Sequence, residues 1–379
     1  MADPLAPGHD PYDALLGTRI PAWVKRSARM RQAVIQIRKR SRLDLAPVLG
    51  VAPFTMAKTV ACHLSAAARR EALDPADVGA VRRLSADLVS RGRHGAYAYE
   101  FDVQTRWSYY PAGEPNLIVT VFAGRALLEA SLVTGDAWLL AEAQASADFL
   151  DTGLRSERAG RPAYRYTALT DRLIHNANLL GAGFVAAVRA LTGGDEGPSL
   201  AAARTSVEAL RGLDAWPYGD GASLGWSDSF HTAYDLDGLS WLALATGDPG
   251  CVALLDAGLR AWCTEFFGKD GEPFYYAGRK GPFDIHAAAT AIDVLARLGS
   301  HDPGSLELAE RVSAWTDANL VDPATGATYY RKGRLGVDRR SFPRWGDAHL
   351  AAGRAALASA RSGRACPVEA ALAERAGTR

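Results

Sequence analysis

The chain alternates between two kinds of helical stretch. Five segments open with a polar cluster and then run through small and apolar residues on nearly every side. They are PNLIVTVFAGRALLEASLVTGD from Pro115, HNANLLGAGFVAAVRALTGGD from His175, DSFHTAYDLDGLSWLALATGD from Asp228, FDIHAAATAIDVLARLGSHD from Phe283 and RWGDAHLAAGRAALASARSG from Arg344. Four of the five close on a short turn holding Gly and Asp, and a sixth segment, PFTMAKTVACHLSAAARR from Pro53, fits more loosely. Helices that are apolar all round belong inside a fold. The stretches between them differ: DPADVGAVRRLSADLVSRG, AWLLAEAQASADFLDTGL, SLAAARTSVEALRGL, GCVALLDAGLRAWCTEFFG and GSLELAERVSAWTDANL keep apolar residues at helical spacing and one charged face. That is the pattern of a solvent-facing helix. PAWVKRSARMRQAVIQIRKR, residues 21–40, reads as the outer partner of the segment from Pro53.

Starts of the inner segments recur every 53 to 62 residues, and such self-similarity marks a repeated supersecondary unit. Six inner and six outer helices in strict alternation predict an all-α chain closed into an (α/α)6 toroid. The toroid spans residues 21–361, with an N-terminal extension over 1–20 and a C-terminal tail over 362–379. Its connections are lopsided. Inner-to-outer turns are short (TGDAW, GGDEGP, TGDPG, SHDPG), whereas outer-to-inner connections at 92–115, 155–174, 214–228, 268–283 and 321–344 are long. Long loops in a compact domain usually carry function, and these all arrive at the N-terminal ends of the inner helices. Alternations such as YAYEF and ATYYRKGR predict short β-hairpins there. Free backbone N–H groups and positive helix-dipole ends make the same face suitable for a negatively charged ligand.

Composition narrows the partners. Hydrophobic residues make up 48% of the chain, enough for a large core, and the formal net charge is +1. Nothing in that balance points to nucleic acid or an anionic membrane. The start, MADPLAPGHDPYDALLG, lacks the order of a signal peptide, and no run of eighteen apolar residues occurs, so a cytoplasmic protein without a membrane span is expected. Cys62, Cys251, Cys263 and Cys366 stand apart without ligand spacing and read as reduced and structural. No HExxH or EF-hand pattern is present, so neither a metal nor another cofactor is expected.

The long loops are rich in aromatics, among them Trp107 and Tyr109, Trp216, Tyr218 and Trp226, Tyr276, and Tyr330 with Trp345. Rings with polar tips suit sugars, whose C–H faces stack while hydroxyls take hydrogen bonds. Histidines are the second signal: His175, His231, His286 and His349 sit at or near the starts of inner helices, among Asn176, Asn178, Asp228, Asp235, Asp237, Asp284, Arg344 and Asp347. Asp228 and Asp235 stand three before and four after His231, so all three can share a helix face. A carboxylate beside an imidazole fixes its tautomer, as a general base requires. Asp228 and Asp284 also stand where helix N-caps belong. Lys332, Arg334, Arg339, Arg340 and Arg344 cluster in the last long loop and can clamp an anion.

PYDAL at 11–15, SRLDLAPVLGV at 41–51, WSYYPAGEPN at 107–116, HNANLLGA at 175–182, WPYGDG at 216–221, DSFHTAYDLDGL at 228–239, PFDIHAAA at 282–289 and YYRKGR at 329–334 resemble α/α-toroid proteins of bacterial polysaccharide-biosynthesis clusters. Such proteins look distantly akin to six-hairpin glycosidases, polysaccharide lyases and N-acylglucosamine 2-epimerases. The resemblance runs from about residue 11 to about 358 and implies a carbohydrate substrate. In the sugar epimerases toroid histidines shuttle protons, and His175, His231 and His286 are the positions here that match such a role.

The expected reaction is proton transfer on an acidic or N-acylated sugar unit, an epimerisation or elimination. His231 is the expected base, held by Asp228 or Asp235, with His286 or Tyr218 as opposing acid and Arg344 neutralising developing charge. The remaining loop aromatics, His175, Asn176, Asn178, Asp237 and Asp284 are expected to bind the substrate. Three alternatives stand beside this. Paired aspartates would serve a glycoside hydrolase. An isoprenoid cyclase would need DxDD, of which Asp235-Leu236-Asp237-Gly238 lacks the last carboxylate. A glycan-binding or assembly protein would use the aromatics alone.

Overall fold

A computed structural model describes residues 3–377. Six inner helices, Ala57–Leu73, Leu117–Thr134, His175–Thr192, Ser229–Thr246, Ile285–Arg297 and Asp347–Arg361, pack each against the next and close into a ring. Outer helices Val78–Arg91, Ala137–Phe149, Gly197–Leu210, Pro249–Glu265 and Pro303–Leu320 each lie on the inner helix that precedes them. The chain is an (α/α)6 toroid with short hairpins in its long loops, as its repeat predicts.

The repeated turn has a local cause. Gly135, Gly193 and Gly247 stop their inner helices at φ of 72°, 75° and 67°, the left-handed conformation that glycine adopts without a Cβ clash. After the last of them Asp248 caps the next helix, accepting from the Cys251 N–H at 3.0 Å. Small residues inside the ring let backbones approach closely. A Cβ on Gly183 would meet the Gly238 carbonyl oxygen at 2.4 Å, and one on Gly238 would meet the Leu179 carbonyl. The helix Leu117–Thr134 is long and apolar enough by composition to cross a membrane. Here its surface is spent against the neighbouring helices, with Arg125 and Glu129 buried on it.

Two segments lie elsewhere than the repeat suggests. Residues 21–40 do not form a sixth outer helix. Ala28–Arg40 crosses the mouth of the ring, where Arg31 holds the Gln104 side chain at 2.8 and 3.0 Å and Gln32, Gln36, Lys39 and Arg40 face the central cavity. The expected tail contains a helix, Pro367–Gly377, that packs under the ring on four inner helices. Of the expected hairpins, ATYYRKGR supplies strand Arg331–Gly333, paired with Phe283–Asp284 and Gly336–Asp338. YAYEF makes only one isolated bridge, Ala98 with Pro115, and the neighbouring hairpin pairs Val103–Gln104 with Tyr109–Tyr110.

Candidate active site

The long loops and the helix Ala28–Arg40 surround a cavity of about 540 Å³ over the N-terminal ends of the inner helices. Among the described residues its wall holds Lys39, Arg40, Lys58, Arg106, Arg172 and Arg344, two histidines, His231 and His286, and a single carboxylate, Asp228.

Asp228 has two jobs. Its Oδ1 caps the helix Ser229–Thr246 by accepting from the His231 N–H at 3.0 Å, and the same carboxylate accepts from His231 Nδ1 at 2.8 Å. That bond fixes the imidazole tautomer and leaves Nε2 without a partner among the described residues. His231 is 19% exposed and Asp228 1%, so the ring can meet a ligand while its carboxylate cannot. Tyr218 stands edge-on to the imidazole with centroids 4.6 Å apart and stacks on Trp226 at 4.4 Å. Trp226 stacks in turn on Trp107 at 5.8 Å. Burial pushes the Tyr218 phenol well up, with the neighbouring tyrosines adding to it, which makes Tyr218 a wall rather than a ready acid.

His286 is differently committed. Its Nδ1 donates to the Trp345 carbonyl at 3.0 Å, and its Nε2 accepts from the Tyr234 hydroxyl at 3.0 Å. The Trp345 ring stacks on it at 4.3 Å. Burial, then the positive surroundings of His349, Lys58 and Arg344, pushes its pKa well down. His286 is therefore a neutral acceptor backing Tyr234, not the protonated acid that its position suggests. Arg344 is buried, lines the cavity and donates from Nε to Asp10. Asn176 also lines the wall, with its Oδ1 unpartnered, as do Trp107, Trp226, Tyr276 and Trp345.

Other expected site residues lie outside the wall, each for a visible reason. His175 turns outward to Ser206 Oγ at 3.1 Å. Asn178 pins the chain through Tyr164 N and Ala202 O. Asp235 is buried below His231 and does not bond it; burial, with Asp228 adding to it, pushes its carboxyl well up. Asp237 faces the far end of the ring, bound by Arg125 and Arg297. Asp284 caps its helix through the His286 N–H at 2.9 Å and accepts from Trp345 Nε1 at 2.8 Å. Tyr109 lies in the hairpin beside the mouth under Arg31. Trp216 fills the space where a side chain on Gly258 would stand, and Tyr330 is buried against Phe342. Of the basic cluster in the last loop only Arg344 reaches the cavity. Lys332 is bonded to Asn319, and Arg340 to Asp338.

Lys58, Tyr234, Tyr12 and the polar face of Ala28–Arg40 are wall residues without a sequence signal of their own. The one available hint for Lys58 is a lysine near the start of a helix that is otherwise small and apolar. Among the described residues no cluster of three or more His, Cys, Asp and Glu could hold a metal ion.

The sequence matches no family model and no curated protein. Solved structures with the same fold include a sugar epimerase from a ruminal bacterium, at TM-score 0.61 and 13% identity over 83% of this chain and 90% of that one. Cellobiose 2-epimerase from Bacillus thermoamylovorans aligns at TM-score 0.60 and 13% identity, covering 81% and 88%. A family 76 α-mannanase of Bacteroides thetaiotaomicron aligns at TM-score 0.58 and 13% identity, covering 87% and 90%. The likeness to epimerases and six-hairpin glycosidases implied by the sequence is thus found in the fold: this chain has the α/α-toroid architecture those enzymes share.

Proposed function

We propose that this protein is a carbohydrate-active enzyme that moves a proton on a sugar unit, with His231 as general base. The observation that carries the reading is the cavity's chemistry: an imidazole held by Asp228 with a free Nε2, in a wall that offers no second carboxylate. A two-carboxylate glycosidase needs an acid and a nucleophile or base flanking one bond; Asp237 is bound by Arg125 and Arg297, Asp284 caps its helix, and Asp235 is buried outside the wall. The cyclase alternative fares worse, because Asp237 belongs to the ion pairs at the far end of the ring.

His231 Nε2 takes a proton from a carbon beside a carbonyl or carboxylate, and the C–H electron pair moves onto that group's oxygen. Arg344 lies in the wall where it can offset the developing negative charge. The electrons then return to the carbon, which accepts a proton from a water molecule on its other face (epimerisation), or expel the oxygen substituent on the neighbouring carbon, which leaves as a hydroxyl with the proton that His231 took (elimination). The fold shared with sugar epimerases is compatible with this chemistry but does not carry it. Carboxylated and N-acylated oligosaccharides should yield an epimer or an unsaturated product, resolved by NMR. His231→Ala should lower that turnover roughly 10²–10⁴-fold with the melting temperature held. Clean hydrolysis at undiminished rate in the variant would contradict the assignment.

A further inference from the structure

Lys58 is the cavity group that proton transfer leaves unused. It is the second residue of the inner helix Ala57–Leu73, 3% exposed, with Nζ 4.0 Å over the Phe122 ring and 5.5 Å over that of Tyr234. It has no hydrogen bond or ion pair to any described residue. Among the described residues the other buried cations are matched: Arg38 by Asp13, Arg69 by Glu129, Arg125 by Asp237, Arg297 by Asp237 and Glu369, and Arg344 by Asp10. An ammonium withdrawn from water without an anion is strongly unfavourable, so its retention at a cavity wall points to a partner that arrives through the cavity.

Arg344 lies close enough to Lys58 to bear on its charge. Its Nε is held by Asp10, and its other guanidinium nitrogens have no bond to a described residue. Asp10 and Glu100 both lie near Arg344, but Asp10 is bonded to its Nε and Glu100 to the Ala57 N–H, and neither bonds Lys58. Asp228, the single lining carboxylate, is occupied with His231. We propose that Lys58 and Arg344 together seat a carboxylate of the substrate, so that the unit held in the cavity is a uronic or similarly carboxylated sugar. The proposal rests on reading the cavity as a sugar site and deepens that reading by naming the substrate class.

The groups facing Lys58 are Cys62 on its own helix, Arg344 and Asp10, Tyr234, and the imidazoles of His286 and His349. Burial, reinforced by Arg344, pushes the ammonium down to about 7, while burial and the nearby cations push both imidazoles well below their usual range. Carboxylate binding at this seat should therefore be tightest below pH 7 and weaken above it as the unliganded amine loses its proton.

Calorimetry on the whole protein with glucuronate, glucose 6-sulfate and glucose, at pH 6 and pH 8 in low salt, tests the seat. Glucuronate should bind roughly tenfold or more tightly than glucose at pH 6, with a smaller advantage at pH 8. Lys58→Met removes the charge at similar length; it should abolish the advantage, leave glucose binding as it was and not lower the melting temperature. Equal binding of glucuronate and glucose, preference for the sulfate, or an advantage intact in Lys58→Met would overturn the proposal. Should that variant not fold, an advantage in the unaltered protein that is the same at pH 6 and pH 8 overturns it alone. Turnover of sugars with no preference for glucuronate would sink the carboxylate seat and spare proton transfer, whereas preference without turnover would do the reverse.

Discussion

At the far end of the ring, Arg69 is matched by Glu129 and Asp293, Arg125 by Asp237, and Arg297 by Asp237, Asp293 and Glu369. Around the cavity, among the described residues, Lys39, Arg40, Lys58, Arg106, Arg172 and Arg344 share a wall with one carboxylate. The far-end charges sit on the inner helices and the helix beneath them, whereas the wall's cations come mostly from the loops and from Ala28–Arg40. Glu369, on the helix that closes the underside, takes Arg297 at 2.9 Å and Trp241 Nε1 at 2.8 Å; its charge completes the fold. Against burial, which raises it, Arg297, Arg69 and Arg125 hold the Asp293 carboxyl well below the usual range. Paired charges withdrawn from water are costly to unpair, whereas the cavity wall leaves Lys58 without an anion and gives Arg344 only Asp10.

The contrast can be broken from the far end. Asp237→Ala removes the carboxylate between Arg125 and Arg297 and leaves two buried guanidinium groups under-compensated. It should cost about 3–5 kcal/mol of stability, read by denaturant unfolding. A loss below about 1 kcal/mol would show that the network is not structural in this sense.

A smaller effect sharpens the role of Asp284. Burial raises its carboxyl from 3.8 to about 6, against the His286 N–H and Trp345 bonds that lower it. A carboxyl raised in the folded state binds more protons there than in the unfolded chain, so this group withdraws stability as pH rises between about 4 and 6. The amount is roughly 3 kcal/mol at most. Asp293 acts the other way, contributing stability that is lost only as pH falls below about 4. Asp284→Asn keeps an N-cap acceptor and should flatten the decline between pH 4 and 6, as measured by melting temperature against pH. An unchanged profile would remove Asp284 as its source.

Much of the ring was legible in the sequence because its causes are local. Inner helices read as apolar on all sides, and the Gly of each TGD or GGD turn has the left-handed φ that a helix stop requires. Residues 21–40 were misplaced because an amphipathic helix shows the same periodicity over a mouth as on an outer wall. Its Gln32, Gln36 and Lys39 face a cavity rather than bulk water. The pairing of Asp228 with His231 was legible from three-residue spacing, since the capping position and the imidazole share one turn. His175 begins its helix much as His231 follows the start of its own, yet it turns to Ser206, 31 residues along the chain, which no local pattern reveals. Asp237 was misassigned and Lys58 missed for the same reason. What pairs the first and leaves the second unpaired is set by helices distant in sequence.

The most direct test of His231 as the proton-transfer base is turnover of a carboxylated oligosaccharide in deuterated water, with the sugar carbons read by NMR and mass spectrometry. The account predicts solvent deuterium on one ring or chain carbon of the product or recovered substrate, absent with His231→Ala. Product formed with no carbon-bound deuterium, or deuterium incorporated equally by the variant, would contradict it.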